Sequence, residues 1–249
     1  MNSSHVCASN IREAQKTRIA YRRNLTRTGE NHMPKYIDLT LPFDGAFRFK
    51  IDFRKDRCFD KDGRQATSYS ISAHAYTHID APLHLIQGGK SIDAFPVETF
   101  IGEAALLDIP RKKDEAITAE DMERAGKHAR DGDIVLIRTG WLEKMWGKEE
   151  YDDAPYMTEA AADWLIRLKA KMVGYDFPAD YRERDFFRKG HVQTEELVIH
   201  LKLLRQEVLH LENLNHLSKI SKPRVHLMAL PILLKDCDGA PCRPVAIEN

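Results

Sequence analysis

An excess of charge of either sign is what this sequence most clearly lacks. Its 38 Lys and Arg are balanced by 38 Asp and Glu, so the net charge is zero with His neutral. That balance excludes a bulk electrostatic role on nucleic acid or on an anionic membrane. Long hydrophobic runs are missing too. The nearest, Val225 to Leu234, is interrupted by His226 and Pro231 and is too short to span a bilayer. Cysteine is scarce. Cys7, Cys58, Cys237 and Cys242 form no C-x-x-C pair, which excludes a zinc ribbon and a thioredoxin motif. No G-x-S-x-G elbow marks a serine nucleophile. There is no internal repeat, and no secretory hydrophobic region stands at the start. The expectation is reduced thiols in a cytoplasm. What is present is an ordinary globular composition: 249 residues, 43% hydrophobic and 31% charged, enough for one large domain or two small ones.

Residues 1–32 read differently from the rest. Arg12, Lys16, Arg18, Arg22, Arg23 and Arg27 face only Glu13 and Glu30, and apolar residues are sparse and unpatterned. We expect a flexible or loosely docked N-terminal arm. An Arg-rich targeting peptide and a true start at Met33 are the two alternatives. The domain proper is expected over 33–249. From Tyr36 onward, strand-like and helix-like patterns alternate. The segments YIDLTL, AFRFKIDF, TSYSISAHAYTHID, EAALLDI, DIVLIRT, KMVGYD, EVLHLE and RVHLMAL read as strands. ITAEDMERAG reads as a helix opened by Thr118, with Asp121 completing a capping box. MTEAAADWLIRLKAK, capped by Thr158, and TEELVIHLKLLRQ read as two more. The interleaving favours one mixed α/β domain over an all-β sandwich.

One segment carries chemistry. HAYTHIDAPLH, His74 to His84, holds three histidines and one aspartate. On a helix Asp80 would lie about 240° round from His74, and Pro82 also argues against a helix. On a strand, His74, Tyr76, His78 and Asp80 share a parity and project from one face. Two imidazoles and a carboxylate at one point suit a borderline divalent metal such as Zn²⁺ or Mn²⁺, and three protein ligands leave a position for water. His84 lies past the turn at Pro82, where it could flank a metal rather than bind it. A single His on a strand is usually a packed or surface residue. Three with an Asp at this spacing are hard to explain by packing, because burying them unpaired costs several kcal/mol.

At this segment the chain resembles the cyclase family of metal-dependent hydrolases, which includes bacterial kynurenine formamidase and isatin hydrolase. The family signature H-x-G-T-H-x-D-x-P-x-H is matched from His74 to His84, except that Tyr76 replaces the Gly. The resemblance continues through YIDLTLPF, DIVLIRTGW, AADWLIRLKAKMVGYD, HLKLLRQEVLHLENLNHL and GAPCRPVAI, in the family's order, and covers about residues 36–247.

The resemblance implies a single-domain swivelling β/β/α fold with a mixed sheet, and a homodimer or homotetramer. It also implies one or two divalent metals, Zn²⁺ or Mn²⁺. It places metal ligands on His74, His78 and Asp80, the catalytic base on His84, and a distal metal pair on His200 and Glu212. Read from the residues alone, His200 lies on the third helix and Glu212 ends the strand EVLHLE. The two could meet where helix and strand pack, or could equally be solvated surface positions. His210 shares the strand parity of Glu212 and is taken as a neighbour in the network rather than a ligand. Tyr76, on the ligand side by parity, is a candidate substrate contact, although a bulky residue at a Gly position could also force a different backbone path. The charged, aromatic stretch FPADYRERDFFRKG is where substrate contacts are expected to vary. The implied activity is metal-assisted hydrolysis of an amide in a small molecule, with an aryl formamide such as N-formylkynurenine first, as in tryptophan catabolism. A cyclic amide, a lactone, and a non-catalytic metal-binding role are the alternatives. No nucleic-acid or membrane partner is expected.

Overall fold

The computed structural model describes residues 33–45 and 47–249, so the expected arm at 1–32 lies outside the described residues. In chain order the strands are β1 Lys35–Asp38, β2 Asp52–Arg57, β3 Ala66–Ser70, β4 His78–Asp80, β5 Ile101–Asp108, β6 Ala116–Ile117, β7 Ile134–Arg138, β8 Tyr156–Met157, β9 Met172–Tyr175, β10 Leu209–Glu212, β11 Arg224–Met228, β12 Gly239–Pro241 and β13 Val245–Glu248. Nine of them form one sheet in the order β1-β13-β11-β5-β7-β9-β10-β4-β12. β5, β7, β9 and β10 run parallel. β10 to β4, β4 to β12, β5 to β11 and β11 to β13 are antiparallel. This is the mixed α/β sheet that the alternating pattern predicts.

The parallel strands are the apolar runs because both of their faces are covered. Ala105, Leu107, Val135, Ile137, Val173 and Tyr175 pack on one face against Met122, Ala161, Leu165, Ile199 and Leu203 of the helices. Ala104, Leu106, Ile134, Leu136, Met172 and Leu211 face a second core with Ile79, Leu217, Ile220, Val225 and Ala240. The alternation along each strand divides the side chains between the two cores. The helices begin where their caps predict. Thr118 and Asp121 make a reciprocal capping box at Ala119–Ala125, and the Thr158 side chain accepts from the Ala161 N–H at Glu159–Arg167. Among the described residues no helix is long and apolar enough to cross a membrane.

Several expected elements change. The third helix splits into a 3₁₀ turn, Thr194–Glu196, and the helix Val198–Leu204. AFRFKIDF becomes strand only from Asp52, and every residue of β2 in its hairpin with β3 is exposed. The stretch FPADYRERDFFRKG contains a helix, Glu183–Lys189, that was not expected.

The continuous strand expected through TSYSISAHAYTHID is also corrected. It divides into β3 and β4, and His74 to Thr77 lie in turns between them. Tyr76 has φ +57, in the left-handed region that a bulky side chain normally avoids. A Gly at this position carries no such strain, which is the physical content of the signature mismatch. The turn is held from outside. Asn213 Nδ2 donates to the Tyr76 carbonyl, the Thr77 hydroxyl donates to the Asn213 carbonyl, and the Leu41 N–H donates to the Thr77 hydroxyl.

Candidate metal centre

β4 lies between β10 and β12, and its register assembles the site. His78 is opposite Glu212, and Asp80 is opposite His210. On the other edge Asp80 is opposite Gly239, which follows Asp238. Directly opposed residues on neighbouring strands share a face, so two histidines and two carboxylates face one point. A Cβ on Gly239 would lie 2.8 Å from His74 Cε1 and 2.7 Å from the Ile79 carbonyl. A side chain there would displace the imidazole, so glycine is what lets His74 lie against β12.

His78 and His200 are each oriented by a partner that fixes the tautomer, and His74 is held between two carboxylates. His78 Nδ1 donates to the Tyr76 carbonyl at 2.8 Å, which turns Nε2 towards Asp80 Oδ1 (3.1 Å) and Glu212 Oε2 (3.7 Å). His200 Nδ1 donates to Asp180 Oδ2 at 2.6 Å, which turns Nε2 towards Glu212 Oε1 (2.7 Å) and Asp80 Oδ2 (3.7 Å). The Asp180 carboxylate also accepts the backbone N–H groups of Ile199 and His200, so it fixes the helix start and the ring together. His74 reaches Asp80 Oδ1 through Nδ1 (2.6 Å) and Asp238 Oδ2 through Nε2 (2.7 Å). Carboxylates and carbonyls behind imidazoles are the usual outer supports of metal-binding histidines.

Tyr175 and His210 complete the buried side. The Tyr175 hydroxyl has one proton and gives it to Glu212 Oε1 at 2.8 Å. His210 Nδ1, 2.7 Å from the Tyr175 hydroxyl oxygen, is therefore the donor in that contact. That leaves His210 Nε2 bare, buried and without a partner, with the His210 ring stacked on His200 at 4.3 Å. Burial, and then the nearby His200, push the His210 pKa down to about 3, so its ring is neutral.

The charges argue in the same direction. Burial opposes protonation of His74, but the Asp80 carboxylate beside it prevails and raises the pKa to about 9. His200 is likewise raised against its burial, by its hydrogen bonds to Asp180 and Glu212. Asp80 is driven well below the carboxylate range by His78 and His74, although burial alone would raise it. Among the described residues the cationic partners of Asp80 and Glu212 are all histidines, with no Lys or Arg in range. A pair of buried carboxylates ringed by imidazole nitrogens, one of them bare, has the donor chemistry of a borderline divalent cation. Among the described residues three groups are close enough to share an ion: His74, His78 and Asp80; His74, His84 and Asp238; and His200, His210 and Glu212.

His84 ends the 3₁₀ turn Pro82–His84, past β4, as its position after Pro82 suggested. Its ring lies 3.8 Å from that of His74, and its Nδ1 is 3.7 Å from Asp238 Oδ2. Burial and then the nearby His74 and His200 lower its pKa, although Asp80 opposes them, so the ring is neutral near pH 7. Tyr76 does not join the cluster. Its ring is fully buried against Phe43, Phe49 and Trp146, and its hydroxyl accepts from the Gly45 N–H at 2.7 Å. The parity that would have carried it towards the ligands fails because Tyr76 sits in a left-handed turn rather than on a strand. It anchors an aromatic layer instead.

Sequence reasoning did not find Asp180, Tyr175, Asp238 or Gly239. Asp238-Gly239 offered a signal, an acid before a glycine ahead of the closing strand, whereas Asp180 and Tyr175 are recognisable only once His200 and Glu212 are in place. Asp176, in the V-G-x-D motif, has a structural task. Its carboxylate accepts the N–H and hydroxyl of Thr139 and the N–H of Gly140, closing the turn after β7.

The family described as "Putative cyclase" matches residues 25–179, more than half of the chain. The chain belongs to the cyclase family. It is similar to a kynurenine formamidase from Bacillus thuringiensis (strain Al Hakam), 27% identical over 206 residues that cover 83% of this chain and 90% of the relative. Its fold is that of isatin hydrolase A from Ralstonia solanacearum, with TM-score 0.75 and 20% identity over 92% of this chain and 96% of that one. A solved structure described as a potential metal-dependent hydrolase with cyclase activity matches with TM-score 0.69 and 24% identity, over 87% and 99% of the two chains. As a member of the cyclase family the protein is an enzyme, a metal-dependent hydrolase, and the clustered His, Asp and Glu side chains are suited to a divalent metal.

Proposed function

We propose that this cyclase-family enzyme hydrolyses the amide bond of a small aryl formamide of the N-formylkynurenine type. The observation that carries the reading is the convergence of His78 Nε2 and His200 Nε2 on the Asp80–Glu212 pair, with a neutral His84 alongside. The similarity to the Bacillus kynurenine formamidase supports the substrate class. His74, His78 and Asp80 would hold one divalent cation, and His200 and Glu212 would hold a second or orient the attacking water. Zn²⁺ and Mn²⁺ are the ions this donor set suits best. When bound, such a cation polarises an amide carbonyl and lowers the pKa of water.

The protein's own part is proton transfer and orientation. Asp238 lies beside Nδ1 of His84, so Nε2 is the atom that takes the proton from the attacking water. The oxygen adds to the formyl carbon and the C–N bond breaks. The proton held at His84 passes to the leaving nitrogen, giving formate and an arylamine. Asp180 and the Tyr76 carbonyl keep His200 and His78 in their tautomers throughout. The low-lying pKa of His84 suits this task, since a ring already protonated at neutral pH accepts nothing. The enzyme is proposed to work in a cytoplasm as a homo-oligomer.

The test is a panel of aryl formamides and cyclic amides, assayed on chelated protein with and without added Zn²⁺ or Mn²⁺. Formamide cleavage that returns with metal and exceeds cleavage of the cyclic amides supports the reading. Preferential opening of cyclic amides replaces the substrate class, and no turnover of either class defeats the proposal.

A further inference from the structure

Two residues beside the metal centre hold their backbone in the left-handed region. Tyr76 has φ +57 and Asn213 has φ +55. A tyrosine rarely adopts that conformation, whereas an asparagine tolerates it. Asn213 directly follows Glu212, the last residue of β10, and its side chain reaches the turn ahead of β4. Three polar groups of Asn213 are engaged. Nδ2 donates to the Tyr76 carbonyl at 2.9 Å, and Oδ1 accepts from the Tyr151 hydroxyl at 3.4 Å. The backbone carbonyl accepts from the Thr77 hydroxyl at 2.9 Å. A carbonyl only accepts, so the Tyr76 oxygen fixes which end of the amide faces it. Tyr151 is fully buried, and its own carbonyl accepts from the Trp141 ring N–H at 3.0 Å.

The Tyr76 carbonyl is where the two left-handed residues meet the site. It takes a second hydrogen bond, from His78 Nδ1 at 2.8 Å. A carbonyl has two lone pairs, so both bonds form together. The amide of Asn213 thus acts on the His78 ring through one shared oxygen. A tyrosine held in the left-handed region stores strain. Relaxation of its backbone re-aims its carbonyl and takes the partner of His78 Nδ1 away. Of the residues that visit this region readily, glycine has no side chain and ionised aspartate has no donor. Asparagine combines the backbone with an N–H that meets a carbonyl.

We propose that Asn213 is a positioning residue for His78. Its amide latches the strained Tyr76 carbonyl, which keeps a proton on His78 Nδ1 and leaves Nε2 as the atom that meets a cation. The inference rests on the metal-ligand part of the proposed function and deepens it. Supports of this kind, one step behind a ligand, tune metal affinity without touching the ion.

The test follows the Nδ1 proton of His78 by nuclear magnetic resonance on metal-free, full-length protein. In the native chain this buried, bonded proton should exchange slowly with water. Asn213→Gly keeps the left-handed backbone and removes the amide. Exchange there should quicken about tenfold, the weight of one hydrogen bond. Affinity for Zn²⁺, read against a calibrated chelator, should fall about 10- to 100-fold. Asn213→Asp carries the test if the glycine variant loses its fold. It keeps the size and cannot donate when ionised. Its added negative charge attracts cations, so a fall in affinity there reports lost geometry. Thr77→Val unties the same turn but leaves the amide in place. It should lower the melting temperature while exchange and affinity stay near native. If the native chain binds no Zn²⁺, the metal-ligand reading fails, and exchange of the Nδ1 proton still decides the role of Asn213. Native-like exchange and affinity in both Asn213 variants, or equal losses in Thr77→Val, would make Asn213 a turn residue only and overturn the inference.

Discussion

The two sides of the His and carboxylate cluster are built differently. On one side the side chains of His74, His84 and Asp238 are 20%, 27% and 42% exposed. On the other, those of Asp180, His200 and Glu212 are 3%, 6% and 10% exposed, and His210 is fully buried. The closed side is backed by the interior of the sheet and by the Asp180 clamp. The open side is held by the 3₁₀ turn after Pro82 and the short edge strand β12. The difference teaches a division of labour. In the proposed roles, the ligands His78, Asp80, His200 and Glu212 are buried and braced, His74 is a ligand at the more open edge, and the base His84 stands beside it at the rim.

The sharpest way to break this comparison lies where the two sides meet. His78 is buried between Asp80 and Glu212. His78→Ala should strip the metal and abolish turnover while the chain stays folded, as read by metal analysis and circular dichroism. Full metal content and activity in that variant would refute the ligand assignment.

A smaller effect tests the bracing of the closed side. Asp180→Asn keeps the shape but weakens the support behind His200, and such outer-shell changes typically cost about 10- to 100-fold in metal affinity or activity. Competition against a calibrated chelator would measure it. The equivalent loss from Asp238→Asn should be smaller, because the open side is solvated. A larger loss from Asp238→Asn would reverse the division of labour.

The smallest expected effect is on stability against pH. In the metal-free chain the folded pKa of His74 is about 9, above its ordinary 6.5. Its contribution to stability is therefore fully present below pH 6.5 and is lost as the pH rises through about 9. A metal requires the neutral ring, so its affinity should climb through the same interval. Denaturation midpoints of chelated and metal-loaded protein across this range should diverge with rising pH. Parallel curves would contradict the His74–Asp80 pairing.

Much of the fold was legible in the sequence, because burial on both faces writes continuous apolar runs such as Ile134–Ile137, and Thr118 and Thr158 mark their helices directly. The signature segment was legible as a metal site for a partly wrong reason. Strand parity holds for His78 and Asp80, but His74 arrives by a turn whose left-handed residue, Tyr76, no periodicity can reveal. Glu212 and His200 were placed by a resemblance, since nothing local distinguishes them from ordinary positions. Asp180, Tyr175 and Asp238 act through other side chains. Their roles exist only in three dimensions, and a one-dimensional pattern does not carry them.

His84 is proposed to move protons at the rim without holding the metal that its neighbour His74 helps to bind. The measurement is metal content and turnover on one sample of His84→Ala. The account predicts full metal with a rate reduced about 10²- to 10⁴-fold, a loss typical of removing a general base. Metal lost together with activity would make His84 a ligand, and metal and activity both retained would place the base elsewhere; either result contradicts the account.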